Sequence, residues 1–293
     1  MKPPRIALVA TLSAAVGAAL AIAGTGAFAG DGKPSSPMQG KRDARAAFGD
    51  VNFVSSCRFS HRRPDDPIVS PGHPGASHDH SFVGNRTTSA FSTVETLTAA
   101  GTSCQRAGDT AAYWVPTLYT TGGAVPPLGA TIYYRRSTLD HVQAFPSGQK
   151  MIAGDSHAGS MAQSLRVVFW SCGAEVGIPP SSTAPTCPAA RGSGLRLHVR
   201  FPSCWDGKSL DSADHKSHMA YPMRRACPSS HPVSVPAITL IYRYPVLDGS
   251  TVALSSGGQL SGHADFFNAW NPAELTRLVD SCLNALRHCG RFD

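Results

Sequence analysis

Two pairs of closely spaced histidines are the first residues in this chain whose types and spacing could do chemistry. His78 and His80 are two residues apart, so in an extended segment both imidazoles project from one face. His215 and His218 are three apart and would share one face of a helical turn. Each pair could therefore direct two imidazoles at a single ligand.

A third segment, residues 261–270, adds a carboxylate to this set. His263 and Asp265 share a face if the segment is extended, and Asn268 and Trp270 follow. Binding residues concentrate on loops that a scaffold holds in place. We therefore expect the three histidine-bearing segments to meet at one cleft.

Two kinds of chemistry suit such a cluster. Neutral imidazoles with a carboxylate bind Zn²⁺ or Cu²⁺, and an open coordination position makes a bound water nucleophilic. The candidate ligands of a divalent metal are His78, His80, His215, His218 and His263. Without a metal, a histidine beside Lys216 and Tyr221 could act as general acid or base. The cofactor is left open, and the candidate catalytic residues are His78, His80, His215, Lys216, His218, Tyr221, His263 and Asp265.

The central stretch, residues 201–222, is rich in polar residues and poor in aliphatic ones, which favours a loop. Its carboxylates, together with Asp265, could form the acid and base of glycosidic cleavage. Aromatic side chains could offer flat platforms for sugar rings. The candidate substrate-binding residues are Trp114, Trp205, Asp206, Asp211, Asn268 and Trp270, with Asp214 as a further candidate carboxylate.

The same residues also have structural interpretations. Asp211 and Asp214 could cap turns or helices by accepting backbone N–H bonds. Trp205 follows a cysteine and could pack against a disulfide, and Trp270 could belong to the core. A His-x-His pair in a loop could simply be solvated. The prediction of a site therefore depends on clustering rather than on any single residue.

Composition indicates the scaffold. The chain has 293 residues with 28 glycines, 23 prolines and only 15% charged residues, which favours a turn-rich, mainly β protein. Short strands separated by turns predict an antiparallel sandwich or jelly-roll-like fold with long loops and a C-terminal helix. The predicted strands are 51–57, 111–120, 130–137, 165–172, 195–201 and 236–246, the predicted helix is 273–286, and the prolines of 61–75 predict a long loop.

Eight cysteines, all beyond residue 29, favour disulfides over thiolate metal sites in an exported chain. Their order and spacing suggest the pairs Cys57–Cys104, Cys172–Cys187, Cys204–Cys227 and Cys282–Cys289. The third pair would close a loop around the central stretch and limit its unfolded freedom by roughly 3 kcal/mol. We expect a disulfide-stabilised site.

The N-terminus predicts export. Residues 1–29 have a basic start, an apolar run and the small-x-small sequence Ala27-Phe28-Ala29, which is typical of a signal peptide. The alternative, a membrane anchor, needs about 20 apolar residues, and this run is shorter. A disordered leader over 30–47 and a single secreted domain over 48–293 complete the prediction. We expect an extracellular protein with no membrane association after signal cleavage.

Charge and motifs narrow the function. The net charge is +7, but Lys and Arg are scattered without a basic stripe, so we expect no nucleic-acid partner and only a weak preference for anionic surfaces such as wall polymers. The chain has no G-x-S-x-G elbow, no H-E-x-x-H and no phosphate-binding loop. The expected partner is an extracellular or cell-wall polysaccharide, and the expected state is a monomer.

A set of motifs in fixed order resembles the secreted domain of unknown function numbered 1996, which occurs in filamentous fungi and actinobacteria. The motifs are Cys57-Arg58-Phe59, Asp66-Pro67-Ile68-Val69, His78-x-His80, Tyr113-Trp114-x-Pro116, Cys204-Trp205-Asp206-Gly207, Asp214-His215-Lys216-Ser217-His218 and His263-x-Asp265-Phe266-x-Asn268-x-Trp270. The resemblance covers residues 54–287. It implies one site at these positions, but the family has no settled activity to carry over.

These observations predict an extracellular protein that acts on or binds polysaccharide through a His/Asp-rich cleft, and the first hypothesis is an enzyme or enzyme-like protein, with cleavage as a hydrolase or lyase left open. Two alternatives use the same residues. One is a glycan-binding protein without catalysis, and the other is an extracellular metal-binding protein.

Overall fold

Two five-stranded antiparallel sheets form the framework of the protein, in a computed structural model that describes residues 51–173 and 176–290. The predicted signal peptide and leader lie outside the described residues. The strands are β1 (Asn52–Cys57), β2 (Phe59–Arg63), β3 (His80–Gly84), β4 (Ala112–Pro116), β5 (Leu118–Thr120), β6 (Gly123–Val125), β7 (Gly129–Arg135), β8 (Lys150–Gly154), β9 (Val168–Ser171), β10 (Arg196–Arg200), β11 (Cys204–Trp205), β12 (Met219–Ala220), β13 (Val233–Ser234), β14 (Ala237–Arg243), β15 (Ala253–Leu254) and β16 (His263–Phe267). The mainly β prediction is confirmed, and the arrangement is consistent with a sandwich.

The first sheet has the order β1-β7-β14-β10-β9. Its strands β10 and β14 alternate between buried and partly exposed positions, as strands with one buried face do. In β14, for example, Ile238, Leu240 and Tyr242 are buried, while the residues between them are partly exposed. The outward positions of this sheet are therefore open to solvent.

The second sheet has the order β2-β3-β4-β16-β8. Its three central strands, β3, β4 and β16, are buried along their whole length. One face packs in the main core, which includes Val83, Tyr113 and Phe266, and the other face carries a second apolar cluster that includes Phe82 and Trp114. This outer face therefore has its own cover.

The cover comes from the loop after β2 and from helix α1 (Val94–Ala99), which contribute Ile68 and Leu97 to the second cluster. The Thr93 hydroxyl accepts a hydrogen bond from Thr96 N and caps α1. The loop predicted over 61–75 begins later than expected, because β2 pairs with β3 as far as Arg63. Strand β8 lies outside the strand predictions, since its five residues are too few to show alternation.

All four predicted disulfides are confirmed, at Cys57–Cys104, Cys172–Cys187, Cys204–Cys227 and Cys282–Cys289. The third encloses most of the central stretch, whose short strands β11 and β12 form a small sheet with the later strand β13. The C-terminal helix α2 (Pro272–Leu278) starts at the predicted proline and continues as a π-helical segment, Val279–Asn284. No helix in the described parts of the chain is long and apolar enough to span a bilayer.

Candidate functional site

Three histidines meet at the outer face of the second sheet. His80 lies at the start of β3, His263 at the start of β16, and His78 lies just before β3. The Nε2 atoms of His78 and His263 are 3.1 Å apart, and the ring centroids of His78 and His80 are 4.2 Å apart. The structure thus brings together two of the three histidine segments that the sequence predicted would converge.

Backbone carbonyls fix two of these rings. His80 Nδ1 donates to the carbonyl oxygen of Asp65 at 3.0 Å, and His263 Nδ1 donates to that of Ser261 at 2.9 Å. With the proton on Nδ1, the Nε2 atom of each neutral ring carries a lone pair, and that of His263 accepts a hydrogen bond from His78 Nε2. His80 Nε2 is buried and has no hydrogen-bond partner among the described residues. The two rings are therefore oriented as ligands or bases.

A close approach of strands places His263. Gly154, at the end of β8, pairs with His263 and has a φ of 86°. A Cβ at Gly154 would lie 2.6 Å from the carbonyl oxygen of Gly262 and 2.9 Å from His263 Cα. Only glycine accommodates this backbone conformation together with the contact, so the position of His263 depends on it.

Two carboxylates adjoin the histidines. Asp265 follows His263 by two residues on the same face of β16, and its Oδ2 is buried without a hydrogen-bond partner among the described residues. Asp66 Oδ1 accepts hydrogen bonds from the backbone N–H groups of Ile68 and Val69. Ligand atoms of His78, His80 and His263 lie within 4.8 Å of one another, and so do those of Asp66, His80 and Asp265. His80 belongs to both groups, so the five residues form one centre.

Burial determines the charge of this centre. Burial, followed by the charge of His78, lowers the pKa of His80 to about 3, and burial followed by the charge of His80 lowers the pKa of His263 to about 3. Burial also lowers the pKa of His78. Burial and the nearby charge of Asp66 raise the pKa of Asp265 well above its usual value. At neutral pH the three imidazoles are therefore neutral and ready to bind a cation.

A cleft of about 380 Å³ opens above the centre. Its walls include His78, His263 and Asp265 from the centre, and His215 and Lys216 from the central stretch. Lys216 Nζ donates to the carbonyl oxygen of Gly154 at 2.9 Å. The central stretch thus supplies one ammonium group near the centre rather than further buried ligands.

The residues around Lys216 form a tight turn. Asp214 Oδ1 accepts from the backbone N–H groups of Lys216 and Ser217, and these bonds hold the pKa of Asp214 below its usual range. His215 has a positive φ of 57°, and its Nδ1 lies 2.9 Å from Asp211 Oδ1. These contacts match the structural interpretation of Asp214 as a cap. Asp206 likewise accepts from the backbone of Lys208 and Ser209.

The structure corrects the expected convergence for two residues of the central stretch. His218 is buried, its Nε2 donates to the carbonyl oxygen of Lys150 at 2.7 Å, and its Nδ1 lies 2.8 Å from Ser212 Oγ. Both ring nitrogens of His218 are therefore engaged in hydrogen bonds within the fold. His215 and His218 lie in a turn rather than on one face of a helix, as their spacing had predicted. The Tyr221 hydroxyl donates to the carbonyl oxygen of Arg200, and Tyr221 lies outside the histidine cleft.

The predicted sugar platforms also need correction. Trp114 is 0% exposed and Trp270 is 1% exposed, so neither offers a ring face to a ligand. Trp270 Nε1 donates to the Tyr134 hydroxyl at 2.8 Å, and the Asn268 amide donates to the carbonyl oxygen of Pro146. Trp205 is half-buried and donates to the carbonyl oxygen of Ser209. These side chains pack and hydrogen-bond within the fold.

Asp66 is the site residue that the sequence reasoning left out of the candidates. It stands in the Asp65-Asp66-Pro67 sequence of a proline-rich loop, where an aspartate ordinarily indicates a turn. Asp65 accepts hydrogen bonds from the backbone N–H groups of Gly75 and Ala90 through its side chain, while its carbonyl orients His80. The available signal was the carboxylate pair that precedes the His-x-His motif in the sequence.

Comparison of the chain with curated proteins and with solved structures found no match. A family model, "Domain of unknown function (DUF1996)", matches residues 66–270. The match covers more than half of the chain and contains all five residues of the centre. The chain belongs to the DUF1996 family.

Proposed function

We propose that the protein is an extracellular metal-dependent enzyme in which His78, His80 and His263 hold a divalent transition metal and the cleft admits a polysaccharide. The observation that carries this proposal is the pair of partnerless buried atoms, His80 Nε2 and Asp265 Oδ2, beside two further imidazoles. Buried polar atoms without partners are costly, so such a pair favours a ligand that satisfies both.

The hydrogen bonds around the histidines support a metal. Metal-binding histidines commonly donate their other ring nitrogen to a backbone carbonyl or carboxylate, which fixes the tautomer and the ring orientation. His80 and His263 both do so. Imidazole nitrogens with a carboxylate oxygen suit Zn²⁺ or Cu²⁺ better than Ca²⁺ or Mg²⁺, which prefer oxygen alone.

A cation would also resolve the charge of the centre. Burial, and then the charge of the neighbouring Asp66, raises the pKa of Asp265. A divalent ion stabilises both carboxylates in their ionised form and offsets their repulsion. The partly exposed side of the centre, at His78, faces the cleft.

The chemistry follows from these positions. A bound Zn²⁺ lowers the pKa of water and polarises an oxygen of the substrate. With the Asp265 oxygen among the groups that would hold the ion, Asp66, the second carboxylate that lines the cleft, would accept the proton released by the attacking water and return it to the oxygen of the leaving sugar. Lys216 places positive charge at the mouth of the centre, and the neighbouring His215 is held by Asp211. The glycosidic bond would thus be hydrolysed within the cleft.

Location and substrate complete the proposal. Four disulfides indicate an oxidising environment, which supports secretion to the cell exterior. Polymers of the cell wall are the polysaccharides present there. The cleft is lined by polar side chains such as Ser70, Ser77 and Ser156, which suit hydroxyl-rich sugars.

The test measures metal content and activity together. Protein dialysed against Zn²⁺ or Cu²⁺ should retain about one ion per chain, and His263→Ala should retain none. His141→Ala, which removes an exposed histidine far in sequence from the centre, should behave like the natural protein. Zinc-loaded protein should release new reducing ends from soluble wall glycans.

Absence of bound metal in the natural protein would overturn the metal centre. Metal binding without cleavage of any wall glycan would overturn the enzyme and leave metal binding itself as the function. That second candidate is favoured by the deep burial of His80, which is 0% exposed.

A further inference from the structure

In addition to the histidine cleft, the protein has a cationic groove on the solvent-facing side of the first sheet, across strands β7, β9, β10 and β14. The groove has a volume of about 560 Å³. Its lining includes the arginines Arg135, Arg136, Arg166 and Arg200, together with His198. None of the described residues that line it is an aspartate or a glutamate. Positive charge therefore dominates the groove.

Aromatic rings support the arginines. The Arg200 guanidinium lies over the Phe169 ring at 4.8 Å from its centroid, and the Phe169 ring stacks on His198 at 4.2 Å. The Arg135 guanidinium lies over Tyr133 at 4.4 Å. Stacking of this kind presents the edges of a guanidinium to a ligand and limits the entropy lost on binding.

The charges in the groove act on one another. Burial and then the charge of Arg135 lower the pKa of Arg200, and burial followed by the charges of Arg200 and Arg196 lowers the pKa of His198 to about 3. The guanidinium of Arg136 instead donates to backbone carbonyls, including those of Thr138 and Leu139, and serves the fold. Arg166 and Arg200 are exposed at the surface. An anion bound beside Arg200 would offset its repulsion with Arg135.

The groove connects with the histidine cleft. An intermediate cleft of about 380 Å³ shares Tyr221 with the arginine groove and shares Ile152 and Lys216 with the histidine cleft. The three concave regions therefore adjoin one another, and together they line a path from Arg166 and Arg200, past Tyr221 and Lys216, to the centre. Tyr221 is 42% exposed along this path.

We propose that this path binds an extended acidic polysaccharide, with uronate carboxylates on Arg166 and Arg200 and sugar rings against Tyr221. Guanidinium groups pair with carboxylates through two parallel hydrogen bonds, and the face of a tyrosine packs on the apolar face of a sugar. The inference rests on the proposed function only in placing the cleaved bond at the histidine centre. It names the substrate class and the arginine subsite.

Binding is measured by calorimetry in the presence of a chelator, with polygalacturonate and its fully methyl-esterified form as probes. The natural protein should bind the acid form, and the ester should bind at least about tenfold more weakly, because removing one charge-assisted hydrogen bond lowers affinity by about this factor. Arg166→Gln/Arg200→Gln should weaken binding of the acid form by a similar factor. If the double variant fails to fold, Arg166→Glu, a change at an exposed side chain, provides the test and should weaken binding by a similar factor.

The matched control is Arg277→Gln/Arg287→Gln, which removes two exposed arginines near the C-terminus that line none of the three clefts. It should bind like the natural protein. Equal affinity for acid and ester, or unchanged affinity in both groove variants, would overturn the inference. Tighter binding of polyphosphate than of polygalacturonate would overturn the choice of carboxylate.

The two proposals fail separately. Polygalacturonate binding that persists in His263→Ala while no metal binds would remove the metal centre and leave the acidic path intact. Metal binding without any affinity for polygalacturonate would remove the path and leave the centre.

Discussion

Two buried carboxylates, Asp109 and Asp265, have the same burial and opposite surroundings. Both Asp109 oxygens accept hydrogen bonds, one from the Ser55 hydroxyl and one from the Tyr113 hydroxyl. Asp265 has an oxygen without a partner in the described structure and lies beside the three imidazoles of the centre, at the cleft. Burial raises the pKa of both groups, to about 7 for Asp109 and well above the usual value for Asp265.

The difference separates a structural role from a functional one. The Asp109 network continues from Tyr113 to the Tyr134 hydroxyl and the Trp270 indole, and it ties three strands and the start of the C-terminal helix together. Every hydrogen bond in it closes within the protein. The Asp265 region ends in atoms that nothing in the described chain satisfies, and that is the condition a ligand requires.

The largest expected effect is a loss of folding stability at low pH. His80 is neutral in the folded protein with a pKa of about 3 and protonates near pH 6.5 when unfolded, so the unfolded state binds more protons between these values. Metal-free protein should therefore lose on the order of 5 kcal/mol of stability from His80 as pH falls from 6.5 to 3. His80→Asn, whose amide can still donate to Asp65, should flatten this slope in chemical denaturation.

His141→Ala is the control and should keep the slope of the natural protein. An unchanged slope in His80→Asn would mean that burial of this ring does not determine acid stability. Asp109 should have the opposite effect on the pH dependence of stability. Because its pKa is raised in the folded protein, its contribution to the free energy of unfolding is present at low pH and lost as pH rises from about 4 to 7.

Metal should stabilise the protein through one region only. At a free Zn²⁺ concentration of 1,000 times Kd, the natural protein should gain about 4 kcal/mol of unfolding free energy. Asp265→Asn should lose much of this gain, whereas Asp109→Asn should keep it, because Asp109 has its partners within the fold. Thermal unfolding with and without Zn²⁺ measures both. A gain that survives in Asp265→Asn and disappears in Asp109→Asn would reverse the assignment.

Without metal, the order of the two variants should reverse. Asp109→Asn should cost about 2 kcal/mol, because an amide cannot accept from both Ser55 and Tyr113. Asp265→Asn should cost less than about 1 kcal/mol, since the oxygen that it replaces has no partner to lose. Denaturation in the presence of a chelator gives both values, and equal costs would contradict the distinction.

The smallest expected change in stability tests the comparison of Asp109 with Asp265 most directly. Ser55→Ala leaves one Asp109 oxygen without its partner and so reproduces the condition of Asp265 inside the core. It should destabilise the protein by about 1 kcal/mol and create no metal binding, because no imidazole is adjacent. Metal bound by this variant, measured by calorimetry, would show that a partnerless carboxylate alone is sufficient.

Much of this arrangement follows from the sequence. The order and spacing of the cysteines suggested all four disulfides, and alternation together with residue type predicted the strands of the first sheet. Of the histidines, His78, His80 and His263 meet because extended segments project alternate residues to one face.

The rest depended on long-range packing. The indole of Trp114 lies on the outer face of the second sheet, in a cluster with Ile68 of the long loop and Leu97 of α1, which no local pattern can predict. His218 lost its expected role because Ser212 and Lys150 satisfy its ring, and Lys150 is distant in sequence. Asp66 was missed because a proline-rich loop has no regular alternation of side chains, so the sequence does not indicate which way the carboxylate points.

The Cys204–Cys227 bond constrains only one of the two sides of the cleft. The histidines stand on strands that this bond does not hold, whereas Lys216 and Tyr221 stand on the segment that it closes. Cys204→Ser/Cys227→Ser, made in a secreting host so that the other three disulfides form, should therefore still bind Zn²⁺ but lack an ordered wall for the polymer.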